Sequence, residues 1–286
     1  MAKNKDINDA SQKIPKVIII IAKVLEVISI KWTILFAAKL FTTPIKHKIP
    51  KREFHMDAKS EQKTLLIPSI NKEIIVYHYG KSDKKILLVH GWSGRGTQLV
   101  KIADKLVELG YSTISFDGPA HGKSKGNSTL MPEFIASILE IEKQFGPFEF
   151  AIGHSLGGMS ILNAINKGFN IKKAVIIGSG DIIQDIINDF ISKLKLNPTM
   201  GLKLKDHFEN KFEEKMENYA ASNAAKTVVT PILIFHDEKD ADVNVKAAHN
   251  IHKNLKNSEL IITKGLGHRK ILGNENVINK IIDFIK

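Results

Sequence analysis

Hydrophobic and polar positions along this chain change pattern five times. From Ile14 to Phe41 the composition is Ile, Val, Leu, Ala, Trp and Phe, and on a helix Lys16, Lys23, Glu26 and Lys31 fall in one narrow polar stripe, the rest being largely apolar. This predicts one N-terminal apolar, amphipathic helix, with a strand over Ile18–Ile21 as a local alternative. Three mid-segment charges argue against a transmembrane span, at about 2.5–3.5 kcal/mol each at a bilayer centre. They also interrupt any signal-peptide core. The helix therefore either docks on the body of the protein or lies in a membrane interface with its lysines outward. Before it, residues 1–13 are polar, without pattern, and expected to be mobile. After it, Thr42–Gln62 holds Pro44, Pro50 and a basic cluster and reads as a linker.

A second pattern begins at Lys63. Lys63–Pro68 and Lys72–Tyr79, separated by Ser69-Ile70-Asn71, read as an antiparallel pair. Short apolar runs then alternate with helical stretches: strands at Ile86–His90, Tyr111–Phe116, Phe148–Ile152 and Ala174–Gly178, and helices at Gln98–Leu109, Pro132–Phe145 and Leu156–Lys167. Such alternation predicts a mostly parallel sheet with helices on both faces. From about residue 181 to 227 the alternation stops. Ile183, Ile187, Phe190 and Ile191, then Leu204, Phe208, Phe212 and Met216, repeat at helical spacing and predict a small helical insertion of the kind that forms a lid. The sheet resumes at Pro231–Phe235 and Glu259–Thr263, with helices Val243–Leu255 and Asn274–Ile285. The expected organisation is residues 1–62 as N-terminal helix and linker, and 63–286 as one α/β domain carrying the insertion.

Composition narrows the field. At 286 residues, 43% hydrophobic and 25% charged, the chain is an ordinary globular protein. The absence of cysteine removes disulfides and thiolate metal sites and fits a reducing, cytoplasmic setting. The net charge of +12 is almost all lysine, since Arg52, Arg95 and Arg269 are the arginines. Without arginine forks or a basic, aromatic-interleaved helix, nucleic acid is not an expected partner. Attraction of the basic chain to an anionic membrane surface, peripheral and through the N-terminal helix, stays open.

The candidate chemistry lies at strand ends, where ligands gather in open parallel sheets. Gly153-His154-Ser155-Leu156-Gly157 has the form G-x-S-x-G between a strand and a helix, the pattern of a nucleophile elbow. The plain alternative is a glycine-lined turn with an N-cap serine. His90-Gly91-Trp92-Ser93-Gly94, His236–Asp240 and Gly265-Leu266-Gly267-His268 follow three other strands. A serine hydroxyl needs a base in hydrogen-bond reach. His268 follows a strand and two flexible glycines, and a carboxylate would fix its tautomer. Asp240 is the first choice, with Asp181 and Asp237 as the other possible acids. No residue cluster has metal-ligand spacing, and Gly91–Gly96 lacks the Lys-Ser/Thr ending of a phosphate loop.

With His90-Gly91, Phe116-Asp117 through His121-Gly122-Lys123-Ser124, Gly153–Gly158, Asp240–Val243 and Gly267-His268 in this order, the chain from about Lys63 to Lys286 resembles the α/β-hydrolase fold family, in its serine esterase and lipase-like group. The resemblance implies Ser155 as nucleophile, His268 as base and Asp240 as the orienting acid. It departs from many relatives in having Asp237 where they have glycine. Backbone amides of Trp92 and Leu156 are the expected oxyanion donors. Trp92 and His154 are the candidate substrate-binding residues; the plain alternatives are packing for Trp92 and an inward ring, tied to the elbow, for His154. His90 and His121 are expected to brace loops. The expected activity is that of a cofactor-free serine hydrolase acting on a small-molecule carboxylic ester through an acyl-enzyme. The alternatives are a thioesterase, amidase or acyltransferase on the same triad, or a non-catalytic scaffold that binds a small molecule or partner.

Overall fold

The computed structural model describes residues 14–286; the polar stretch expected to be mobile over residues 1–13 lies outside them. Eight strands form one sheet: β1 Glu61–Ile67, β2 Lys72–Tyr79, β3 Lys85–Val89, β4 Ser112–Asp117, β5 Phe150–His154, β6 Lys173–Ile177, β7 Ile232–Asp237 and β8 Ser258–Thr263. Their spatial order is β1-β2-β4-β3-β5-β6-β7-β8. β1 and β2 are antiparallel to each other and β2 to β4, and all other neighbours are parallel. The inner strands read as continuous apolar runs because both of their faces are covered. β1 keeps mostly polar, exposed residues, which suits an edge.

Alternation along the strands divides two cores. Ile86, Leu88, Ile152 and Val175 pack with α4 (Val100–Glu108) and the C-terminal helix Glu275–Ile285, through residues such as Leu106 and Ile281. Leu87, Val89, Ala151 and Ile176 face the opposite way, toward Phe134 and Ile138 of Met131–Phe145 and Ile161 of Leu156–Asn166. The chain moves from β3 outward to β4 and then returns to the far side of β3 as β5. That reversal opens a crevice beyond the carboxyl ends of β3 and β5.

The N-terminal segment differs from the single expected helix. It is two helices, α1 Lys16–Ile28 and α2 Ile30–Thr42, broken at Ser29, whose extended backbone and side-chain oxygen cap the second through the Trp32 amide at 3.4 Å. The single polar stripe is therefore interrupted, because Lys31 sits on a different helix from Lys16 and Lys23. Ile18–Ile21 is helical rather than strand. Ala22, Ile34, Ala37 and Ala38 are buried on the domain, and Phe41 meets Phe190 and Phe208 of the insertion at ring distances of 5.3 and 5.7 Å.

The expected linker is also more ordered than a linker. It holds α3, Phe54–Lys59, and a preceding helical turn that carries Glu53. Glu53 is fully buried and accepts from Arg95 at 3.0 Å and from the Thr97 hydroxyl at 2.8 Å. The Ile45 amide donates to Ser93 Oγ at 3.0 Å, so the segment grips the turn after β3 at two points. Between β6 and β7 lies the expected helical insertion, with helices Ile183–Lys193, Thr199–Phe212 and Ala221–Ala225. The remaining helices are Lys246–Asn254 and the short turn Gly267–Lys270.

Removing one partner of a buried ion pair strands the other charge, at a cost of about 3–5 kcal/mol. Glu53→Ala is expected to lower the unfolding free energy by about that amount in a urea titration, and Glu53→Gln, which keeps an acceptor, by less. Wild-type stability in both variants would show that the clamp contributes nothing.

Candidate active site

Four strand ends meet at the crevice. After β5 the chain turns sharply into the helix Leu156–Asn166, with Ser155 at φ 53° and ψ −117°, a strained conformation for a residue with a β-carbon. Glycine on either side makes the turn possible. A β-carbon at Gly157 would lie 2.3 Å from the Val89 carbonyl oxygen, and one at Gly153 would lie 2.6 Å from the Gly157 backbone. Ser155 is held by its own amide, which donates to the Ile177 carbonyl at 2.9 Å. Its neighbour Leu156 is the first residue of the helix, so the Leu156 amide has no helical partner.

Beyond β7, the side chain of Asp240 is buried and its Oδ2 lies 2.7 Å from His268 Nδ1. Its Oδ1 accepts from the amides of Asp242 and Val243, both at 2.8 Å. Burial alone would raise its pKa, but the hydrogen bond and charge of His268, with the two amides, outweigh that and hold the carboxyl below the ordinary aspartate range. Gly178, at the end of β6, lies against this pair: a β-carbon there would be 3.2 Å from His268 Nδ1 and 3.4 Å from Asp240 Oδ2. The Ser155 amide is tied to the residue just before it, so the nucleophile candidate and the Asp240–His268 pair flank the same strand end.

The other two carboxylates have different partners. Asp181 accepts from the Ser222 amide at 2.7 Å and from Asn250 Nδ2 at 2.5 Å, at the start of the helix Ala221–Ala225. Asp237 accepts from the Leu266 amide at 2.9 Å, Thr263 Oγ1 at 2.8 Å and the Lys239 amide at 3.0 Å. It therefore ties the loop that delivers His268 back to β7, a positioning role that the sequence signalled only by a carboxylate where relatives have glycine.

The turn after β3 is braced by two histidines. His90 donates from Nδ1 to the Gly91 carbonyl at 2.7 Å and accepts at Nε2 from the Gly118 amide at 2.9 Å. His121 accepts at Nε2 from the Ser93 amide at 3.0 Å and donates to the Pro119 carbonyl at 3.0 Å. Burial keeps both rings neutral: His90 titrates well below the ordinary range, and His121 is lowered to about 4. The Gly91 amide is taken by Gln98 Oε1 and that of Gly94 by the Gly91 carbonyl, whereas that of Trp92 is not tied in this way among the described residues. Gly91 itself abuts Ser155, where a β-carbon would meet Ser155 Cβ at 3.0 Å. The half-buried Trp92 packs edge-on against His121 at 5.3 Å.

His154 does not stand where a substrate-binding residue would. The residue is 2% exposed and its Nε2 bonds the His268 carbonyl at 2.9 Å, with the two rings 4.5 Å apart. Burial and the neighbouring His268 lower its pKa well below the ordinary range. Alternation along β5 turns this side chain inward while the turn presents Ser155. Its observed role is to support the His268 backbone. Among the described residues no group of histidines and carboxylates has the geometry of a metal site.

Comparison with known proteins agrees with this architecture. No curated protein sequence matches the chain. An esterase from Pyrococcus furiosus is similar in structure, with a TM-score of 0.64 at 17% identity over 85% of this chain and 97% of that one. An esterase from Exiguobacterium antarcticum gives 0.61 at 19% identity over 79% and 99%. A bacterial membrane phospholipase A gives 0.62 at 15% identity over 94% and 96%. A family model described as TAP-like protein matches residues 211–286, and one described as alpha/beta hydrolase fold matches residues 84–229, which span the elbow and strands β3 to β6. The chain belongs to the α/β-hydrolase fold family.

Proposed function

We propose that this protein is a serine hydrolase that cleaves carboxylic esters through an acyl-enzyme. The observation that carries the reading is the 2.7 Å contact between Asp240 Oδ2 and His268 Nδ1 beside the strained Ser155 turn. With Nδ1 bonded to the carboxylate, Nε2 of His268 is the basic nitrogen. It takes the Ser155 proton as Oγ attacks the ester carbonyl carbon. The carbonyl oxygen then becomes an oxyanion, stabilised by the amides of Leu156 and Trp92. The imidazolium formed is stabilised by Asp240. It gives its proton to the leaving alkoxide as the carbon–oxygen bond breaks. Water, deprotonated by His268, attacks the acyl-enzyme, and collapse of the second intermediate returns the proton to Ser155 and releases the acid. The esterases named above share the fold, and their activity supports the reading by analogy alone.

Ser155→Ala is expected to lower kcat on a short p-nitrophenyl ester by on the order of 10⁶-fold and to remove labelling by a fluorophosphonate, with an unchanged melting curve. Asp240→Asn, which leaves the wrong imidazole tautomer, is expected to cost about 10⁴-fold. A wild-type protein that is neither labelled nor active would remove the proposal.

The oxyanion turn also depends on neutral His121, because protonation would remove the acceptor for the Ser93 amide. Its pKa is lowered from 6.5 to about 4 by burial, so the unfolded chain binds the extra proton first as pH falls. Stability is therefore lost between pH 6.5 and about 4, by about 3 kcal/mol from this group, and the loss levels off below. Urea titrations across that window should show a shallower decline for His121→Asn than for wild type; parallel curves would assign the decline to other groups.

A further inference from the structure

The N-terminal helix pair docks on the domain with one face and leaves a second apolar face in solvent. On α1 the exposed residues are Val17, Ile20, Ile21, Val24, Val27 and Ile28, with Val27 88% and Ile28 70% exposed. At 100° per residue they occupy one continuous side of the helix, and Lys16 and Lys23 stand at its edge. On α2, Trp32, 61% exposed, and Leu35 share their side with Lys31 and Lys39. Nine of the seventeen exposed large hydrophobic side chains among the described residues fall between Val17 and Leu35. Contiguous patches of this kind mark interaction sites rather than ordinary surface.

Charge selects the occupant. The exposed residues of the pair carry four lysines, and its one acid, Glu26, is turned to the Asn197 amide at 2.5 Å and to Lys23 at 2.6 Å. The whole chain is +12. Neither helix is long and apolar enough to cross a membrane. An apolar stripe with flanking lysines and an exposed tryptophan is the makeup of a helix that lies in the plane of a lipid interface, with its apolar side at the acyl boundary and its ammonium groups at the phosphates.

We propose that α1 and α2 dock the protein on an anionic bilayer surface, a role separate from the hydrolysis reading and independent of it. The test is flotation of the full chain with vesicles of mixed phosphatidylglycerol and phosphatidylcholine, against vesicles of phosphatidylcholine alone. The wild type is expected to float with the mixed vesicles and to bind the neutral ones at least tenfold more weakly. Lys31→Gln with Lys39→Gln should weaken binding to the mixed vesicles, at about fivefold per lysine. Val24→Glu with Val27→Glu should abolish it, and since both side chains are exposed, circular dichroism and the melting curve should not change. Three results would overturn the proposal: equal flotation of wild type and the glutamate variant, equal binding to neutral and anionic vesicles, or a wild type that ignores vesicles but elutes as a dimer that the glutamate variant makes monomeric. The last would assign this face to a second copy of the chain.

Discussion

Backbone-to-backbone approach at Gly153 and Gly157 is the constraint on which the site rests. The Val89 carbonyl oxygen comes so close to Gly157 that a β-carbon would have to occupy the same space. That contact draws the helix Leu156–Asn166 against the end of β3, and only so tight a turn leaves Ser155 at φ 53° above the sheet. Strain of about 1–3 kcal/mol at such a residue persists only where surrounding structure over-determines it. Here the Ser155 amide is bonded to Ile177, and Gly91 closes against its β-carbon from the other side.

Anchors of Asp240 and His268 follow the same logic of fixing loops from strand ends. β7 and the turn beyond it supply two carboxylates with different work. Asp237 holds the Leu266 amide, and Asp240 holds the imidazole that follows two residues later. From β5, His154 takes the His268 carbonyl. Strand ends on both sides of β6 thus set the position of one side chain that lies on a loop. Burying a carboxylate beside an imidazole is costly unless every lone pair is used, and the four oxygens of Asp237 and Asp240 meet backbone amides, a hydroxyl and the imidazole.

The alternating strands and helices were legible because a parallel sheet covered on both faces needs uninterrupted apolar runs of about four to six residues, and these stand out against polar helix surfaces. Ser155, Asp240 and His268 were legible as strand-end residues in chain order. Asp240 was the first choice for the carboxylate that reaches the imidazole, with Asp181 and Asp237 as alternatives, and its Oδ2 is the one that lies 2.7 Å from His268 Nδ1. Asp181 and Asp240 follow strands and Asp237 ends one, and in the fold Ser222 and Asn250 lie beside Asp181. His154 departs from its expected substrate contact for a related reason: its neighbour in sequence is Ser155, but its neighbour in space is the backbone of residue 268. The break at Ser29 is a local feature, an extended residue that caps the next helix through hydrogen bonds from Trp32 and Thr33, and hydrophobic periodicity carries no trace of it. Glu53 was equally hidden, since a lone glutamate in a basic stretch reads as surface until Arg95 is placed against it.

That last pair also bears on how the N-terminal helices relate to the site. Residues 45 and 53 both grip the turn that carries the Trp92 amide, and Phe41 is packed among rings of the helical insertion. The helix pair is therefore continuous with the walls of the crevice rather than joined to them by a loose tether. A bound bilayer can shift a conformational equilibrium only by its differential affinity for two states. The exposed side of α1 and α2 is already presented with Glu53 and Arg95 paired, so docking needs no rearrangement of the turn. Under the docking proposal its effect would be one of localisation, raising the effective concentration of whatever substrate that surface contains.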